Sequence, residues 1–132
     1  MTDYLGREAI LDADDQQYDV VECPEWGGKV RVRGLSGTQR DAYEGSLIKG
    51  NGADRQMNLA NARAKMVVLA IVDENGRQVF TGDDVRALGR KSAKALERVF
   101  DKARELSGMT QEDVDKLTEN FGGDPNDDAI SD

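Results

Sequence analysis

The chain has 132 residues, 38% of them apolar and 33% charged, enough for one domain around a modest core and too few for two. Its net charge of -8 gathers at the ends: residues 1–25 carry -7 and residues 124–132 carry -4, leaving +3 between them. Both ends would be repelled by a phosphate backbone, which excludes general nucleic-acid binding.

Residues 1–16 read as an acidic lead. Leu5, Ala9 and Ile10 suit a short helix over residues 4–12 that Gly6 weakens. The period then changes from helical to alternating. Tyr18, Val20, Val21 and Cys23 lead into Pro24-Glu25-Trp26-Gly27-Gly28, and Val30 and Val32 alternate with Lys29, Arg31 and Arg33. Two β-rich runs separated by a Pro/Gly cluster predict a hairpin over 17–34. Ser36 and Gln39 have capping-box spacing, and the helix they open, about 36–49, carries Tyr43 and Leu47 on one face. Gly50-Asn51-Gly52 breaks it.

A second helix is expected over about 55–72, with Ala60, Ala64, Val67 and Ile71 at helical spacing. Its last seven residues, Met66 to Val72, are apolar nearly all round, so the segment should lie at the centre of the fold. Their β-branching leaves a strand as the alternative for that stretch. Asp73-Glu74-Asn75-Gly76 reads as a tight turn. Helices follow over about 83–89 and 92–107. In the latter, Leu96, Val99, Phe100, Ala103 and Leu106 form an apolar stripe, while Lys94–Glu97, Arg98–Asp101 and Asp101–Arg104 suggest ion pairs along the other face. A last helix is expected over about 110–121, with Val114, Leu117 and Phe121 inward. The tail 122–132 has almost nothing to bury and should stay disordered. The expected fold class is therefore mainly α with a small N-terminal β-hairpin (α+β), a single domain over 17–121.

Chemistry finds few footholds. The chain has no histidine and one cysteine, which removes histidine-activated nucleophiles, the common zinc and iron ligand sets, and any internal disulfide. Cys23 sits among Asp19, Glu22 and Glu25, which would raise its pKa and leave it inert. The carboxylate pairs fall at turns, helix starts and the tail, where acids serve caps and dipoles. Asp73 to Gly76 places its glycine too early for a calcium loop, and the glycine pairs lack a phosphate loop's Lys-Ser/Thr. No catalytic residue, cofactor or metal is expected. No run approaches the roughly 18 apolar residues of a membrane span, and the first residues lack the pattern of a signal peptide. A cytoplasmic setting without membrane contact is the resulting expectation.

Two constellations suggest protein binding instead. Trp26 at a turn, with Arg31 and Arg33 on one strand face, resembles a hot-spot composition; alternatively Trp26 folds over the core and the arginines face solvent. Leu96, Val99, Phe100 and Leu106 could offer an apolar face to a partner, or could be ordinary core.

The order of these pieces resembles the tail assembly chaperones of long-tailed bacteriophages and prophages, especially forms from actinobacterial hosts. The resemblance rests on Arg7-Glu8-Ala9-Ile10-Leu11, Pro24-Glu25-Trp26-Gly27-Gly28, Val30-Arg31-Val32-Arg33-Gly34-Leu35 and Arg40-Asp41-Ala42-Tyr43-Glu44. It continues in Val72-Asp73-Glu74-Asn75-Gly76-Arg77, Phe80-Thr81, Lys91-Ser92, Leu96-Glu97-Arg98-Val99-Phe100 and Leu106-Ser107-Gly108-Met109-Thr110. It implies a non-enzymatic chaperone, absent from mature virions, that binds the tape-measure protein and promotes tail-tube assembly. This chain would be the short form of a frameshifted pair. The tail-tube protein and further copies of the chain are the other partners considered. Two other classes suit a small acidic protein: a head–tail connector or tail-completion protein, and a small regulator or inhibitor of a host protein.

Overall fold

Alternation in the first third of the chain becomes a hairpin. In the computed structural model, which describes residues 4–50, 52–54 and 56–109, strand β1 (Tyr18–Cys23) pairs antiparallel with β2 (Gly28–Arg33), in register from Tyr18 opposite Arg33 to Cys23 opposite Gly28. One 3-10 turn, Pro24–Trp26, joins them and closes on Gly27 at φ 81, a left-handed position that favours glycine. Residues directly opposite each other share a face. Val21, Cys23, Val30 and Val32 thus point one way, and Tyr18, Val20, Arg31 and Arg33 the other. The first set packs into the core and the second does not. Before the hairpin, helix α1 (Arg7–Asp12) starts at Gly6 and buries none of its residues.

Helix α2 (Gly37–Ser46) begins with the capping box: Gln39 N–H donates to Ser36 Oγ at 3.2 Å, and Ser36 N–H to Gln39 Oε1 at 3.0 Å. It stops short of the expected residue 49. Ile48–Lys49 (β3) instead pairs antiparallel with Gln56–Met57 (β4), so Gly50 follows a strand rather than a helix.

The helix expected over 55–72 is the largest correction. Helix α3 spans only Ala62–Ala70. Asn58 Oδ1 accepts from Ala60 N–H at 3.2 Å and Asn61 adopts φ 56, so two asparagines hold the chain in turns just before it. At the other end Ile71–Val72 (β5) leaves the helix and pairs with Val32 and Arg31 of β2. The strand alternative thus holds for two of the seven apolar residues. The resulting sheet has the order β1-β2-β5.

A 3-10 turn, Gly82–Asp84, leads into α4 (Val85–Gly89), and Ser92 caps α5 (Ala93–Leu106) by accepting from Ala95 N–H at 3.2 Å. Helix α3 packs on α5 and α4, and α5 covers the inner face of the hairpin. Met66, Val67, Val32, Val99 and Cys23 are fully enclosed where these layers meet. Gly34 allows a close approach of backbone to backbone. A Cβ there would lie 2.5 Å from the Leu106 carbonyl oxygen, and Leu35 N–H donates to Ser107 Oγ at 2.8 Å beside it. The expected helix over 110–121 and the tail 122–132 lie outside the described residues.

The architecture is α+β, mainly helical with an N-terminal hairpin. Among the described residues, no helix is long and apolar enough to cross a membrane.

Candidate functional site

The two arginines of β2 are committed to the fold. Arg31 Nη1 donates to the Glu74 carbonyl at 3.0 Å and the Asp73 carbonyl at 3.4 Å, with its guanidinium carbon 4.2 Å from the Tyr18 ring centroid. Arg33 Nη1 donates to the Gly76 carbonyl at 3.1 Å. Together they fasten the 73–76 turn across the outer face of the sheet, with charge-assisted bonds to groups water would otherwise take. The turn is also knotted internally. Asp73 accepts from the N–H groups of Arg77 at 3.0 Å and Asn75 at 2.8 Å, and these hold its carboxyl below the usual range. The arginines are thus neither a solvated face nor a free binding patch.

Trp26 is half-buried against the core, and its Nε1 finds no hydrogen-bond partner among the described residues. Its other side forms part of an open groove of about 860 Å³. It is lined by Trp26 and Val30 of the hairpin, Ile71, Val72 and Phe80, and Ala87 and Leu88 of α4, with Val79 51% exposed beside them. The groove exists because β5 is only two residues long. It pairs Arg31 and Val32 and leaves Gly28 to Val30 without a neighbour on that side. Lys29 and Lys91 also line the groove, and neither makes an ion pair among the described residues. A surface of this kind, apolar at the bottom with charge at the rim, suits an amphipathic segment more than a small substrate.

The apolar stripe of α5 is not a surface. Leu96, Val99 and Phe100 are buried at 5%, 0% and 8% exposure, and Leu106 is half-buried against the same core. The helix is covered by α3 on one side and the hairpin on another. A stripe shows that a face is apolar but not whether it is taken.

The polar face of α5 likewise departs from expectation. Arg104 does pair with Asp101 at 3.2 Å, but Glu97 reaches Arg63 of α3, and Arg98 makes a two-pronged bond to Glu25 at 2.8 and 3.0 Å. That bond, first of all, pulls Glu25 from 4.5 down to about 2. Arg98 also donates to the Glu22 carbonyl at 3.2 Å, and Lys102 pairs with Asp19 at 3.2 Å, while Asp19 itself accepts from Val20 N–H. Val20 N–H and Glu22 C=O belong to the outer edge of β1, so this cluster closes an edge that would otherwise invite pairing. Behind it burial pushes the Cys23 thiol up, which keeps it unreactive.

Three features escaped the sequence reading: the groove itself, the exposed apolar residues of the N-terminal arm, and the exposed Val20. The arm shows Tyr4 at 90%, Leu5 at 71%, Ile10 at 57% and Leu11 at 63% exposure. A signal existed for Val20, since β1 carries apolar residues at both parities and so could not bury them all on one face. For the groove there was none, because its walls come from residues some 60 apart in sequence.

A profile of the family described as phage tail assembly chaperone matches residues 7–117. A solved structure, that of the bacteriophage HK97 tail assembly chaperone, aligns with a TM-score of 0.53 at 19% identity, covering 75% of this chain and 94% of that one. At that identity the likeness is one of fold. No curated protein matches the chain.

Proposed function

Since this chain belongs to the phage tail assembly chaperone family, we propose that it is a non-catalytic chaperone that holds the tape-measure protein while tail-tube subunits polymerise around it. The supporting observation is the groove between Trp26, Phe80 and Leu88, an apolar surface that nothing among the described residues covers. A long helical protein awaiting assembly exposes apolar stripes. A site for one such stripe needs an apolar floor to cover it and a charged rim to stay soluble.

In this reading Trp26 contributes contact area directly. Arg31 and Arg33 contribute by fixing the turn at the groove's edge. The α5 residues Leu96, Val99, Phe100 and Leu106 act as the support behind it. The remaining expectations belong to the same proposal: a folding unit over 17–121, action in the cytoplasm of the bacterial host, absence from mature virions, and identity as the short form of a frameshifted pair. The actinobacterial host rests on the sequence resemblance alone.

Co-expression tests the role. The tape-measure protein of the same phage should be soluble with the chain, and mostly insoluble without it or with Val79→Glu, which puts a charge into the groove lining on a residue already half in solvent. Equal solubility in all three conditions would count against the chaperone reading.

A further inference from the structure

Four cations stand together where α4 gives way to α5. Arg86, Arg90, Lys91 and Lys94 fall within residues 86–94, a stretch with no acidic residue. All four are exposed, and none makes an ion pair among the described residues. Arg86 and Arg90, four apart on α4 and its C-cap, share a face and repel each other. Helix α5 adds to the field, because its first turn holds no acid and Lys94 occupies the end where a helix favours negative charge. The acids nearby do not neutralise this corner. Glu25 is bound by Arg98 and Glu97 by Arg63, which leaves Asp83 and Asp84 at the start of α4 against four cations. The adjoining groove differs: Glu25, Asp73, Glu74 and Asp84 line it beside Lys29 and Lys91, so its charge selects nothing.

The chain carries its own counter-charge. Residues 124–132 hold Asp124, Asp127, Asp128 and Asp132 and no cation, a net of -4. Residues 110–123 separate them from Met109 and span about 46 Å at full stretch. Helix α5, whose far end leads to Met109, is only about 21 Å long for its 14 residues. A helix over 110–121, as the sequence predicts, still covers about 18 Å of that distance. The tail's one large apolar residue is Ile130, so charge rather than burial selects its site. The N-terminal arm is acidic too, but it includes Arg7, which pairs with its own Glu8. Gln17 C=O accepts from Gly34 N–H at 2.9 Å, which ties that arm at the end of the hairpin opposite Trp26.

We infer that the acidic tail docks on the basic corner of its own chain, against Arg86, Arg90, Lys91 and Lys94. Lys91 belongs both to the corner and to the groove lining, so the docked tail lies along the groove's helical rim and competes with any segment that enters there. Tethering gives the tail an effective concentration of roughly millimolar at the corner, which favours it over a neighbour's tail. Held by charge at an exposed surface, the contact weakens with salt, and an incoming partner displaces it at small cost. The inference stands on this chain's charges alone and does not depend on what the groove holds.

The test is zero-length cross-linking of the full chain with a carbodiimide, which joins a carboxylate to a lysine amine only where the two touch. At low salt Lys91 and Lys94 should couple to the tail aspartates well above the level at Lys49, an exposed lysine on β3, and about 0.5 M salt should abolish the difference. Arg86→Glu with Arg90→Glu leaves both reacting partners in place and should cut the coupling by ~5-fold or more. Both sites are exposed, and matched thermal melts check that the fold is kept. In an equal mixture of light-nitrogen and heavy-nitrogen chains, each linked peptide pair should carry a single isotope. As an independent readout, Asp124→Asn, Asp127→Asn, Asp128→Asn and Asp132→Asn together should move the backbone amide resonances of residues 86–94 and leave those of α2 in place. Any of four results would overturn the inference: tail coupling no higher at Lys91 and Lys94 than at Lys49, coupling unchanged by the two arginine reversals, mixed-isotope products, which would mark contact between copies, or coupling to the arm's Glu8, Asp12, Asp14 and Asp15 in place of the tail.

Discussion

Phe100 shows how one side chain can be identified as apolar from sequence and still leave two placements open, core or partner surface. Its helical spacing with Leu96 and Val99 marks a stripe, yet whether that stripe faces a partner or the protein's own sheet depends on elements far away in the chain. It lies 8% exposed beneath Arg63 and Arg104, whose guanidinium carbons both sit 5.7 Å from its ring centroid. Phe100→Ala should therefore cost about 3–5 kcal/mol in a chemical denaturation experiment, as a core deletion does. A cost near zero would return the residue to the list of binding candidates. Arg31 and Arg33 teach the converse. Alternation placed them correctly on the outer face of β2, but their acceptors are carbonyl oxygens 42 and 43 residues further on. Main-chain acceptors leave no mark in a sequence.

At the scale of elements, legibility follows local chemistry. The hairpin and the α2 capping box were readable because turn residues, alternation and a hydroxyl–amide pair act within a few positions. Helix α3 was misjudged at both ends because apolar spacing continued through Asn58 and Asn61, whose turns delay its start. At its other end, pairing of Ile71 and Val72 with β2 competed successfully with helix extension. Of the expected charge pairs along α5, Asp101–Arg104 forms, while Glu97 and Arg98 turn to Arg63 and Glu25 on other elements: a partner on another element can be bidentate, whereas a neighbour three residues away on an exposed face adds only tenths of a kcal/mol.

The Glu25–Arg98 bond between hairpin turn and α5 sets a pH dependence. Glu25 is lowered from 4.5 to about 2, so its contribution is full above pH 4.5. As pH falls from there toward 2, the unfolded chain takes up a proton that the folded chain refuses, and that contribution is lost. Asp19 and Asp73, also lowered, act in the same direction. Urea midpoints should show Glu25→Gln less stable than the parent at neutral pH, with the gap narrowing steadily at about pH 3. A gap that stays constant across this range would mean the bond does not form in solution.

For the molecule as a whole, the sequence conveyed function class better than site. The absence of histidine, one buried cysteine and acidic ends directed attention away from catalysis, and the order of short motifs pointed to a family that a profile over residues 7–117 supports. The groove was invisible because it arises from a mismatch in length between β2 and its two-residue neighbour β5, a property of assembled elements. Its occupant is the centre of the proposed function, and Trp26 reports on it without a label. The most direct measurement is a titration of the purified chain with helical segments of the tape-measure protein, followed by Trp26 emission. The expected result is a saturable blue shift for at least one segment, lost in Val79→Glu. No saturable change with any segment, or an identical shift in Val79→Glu, would contradict the account.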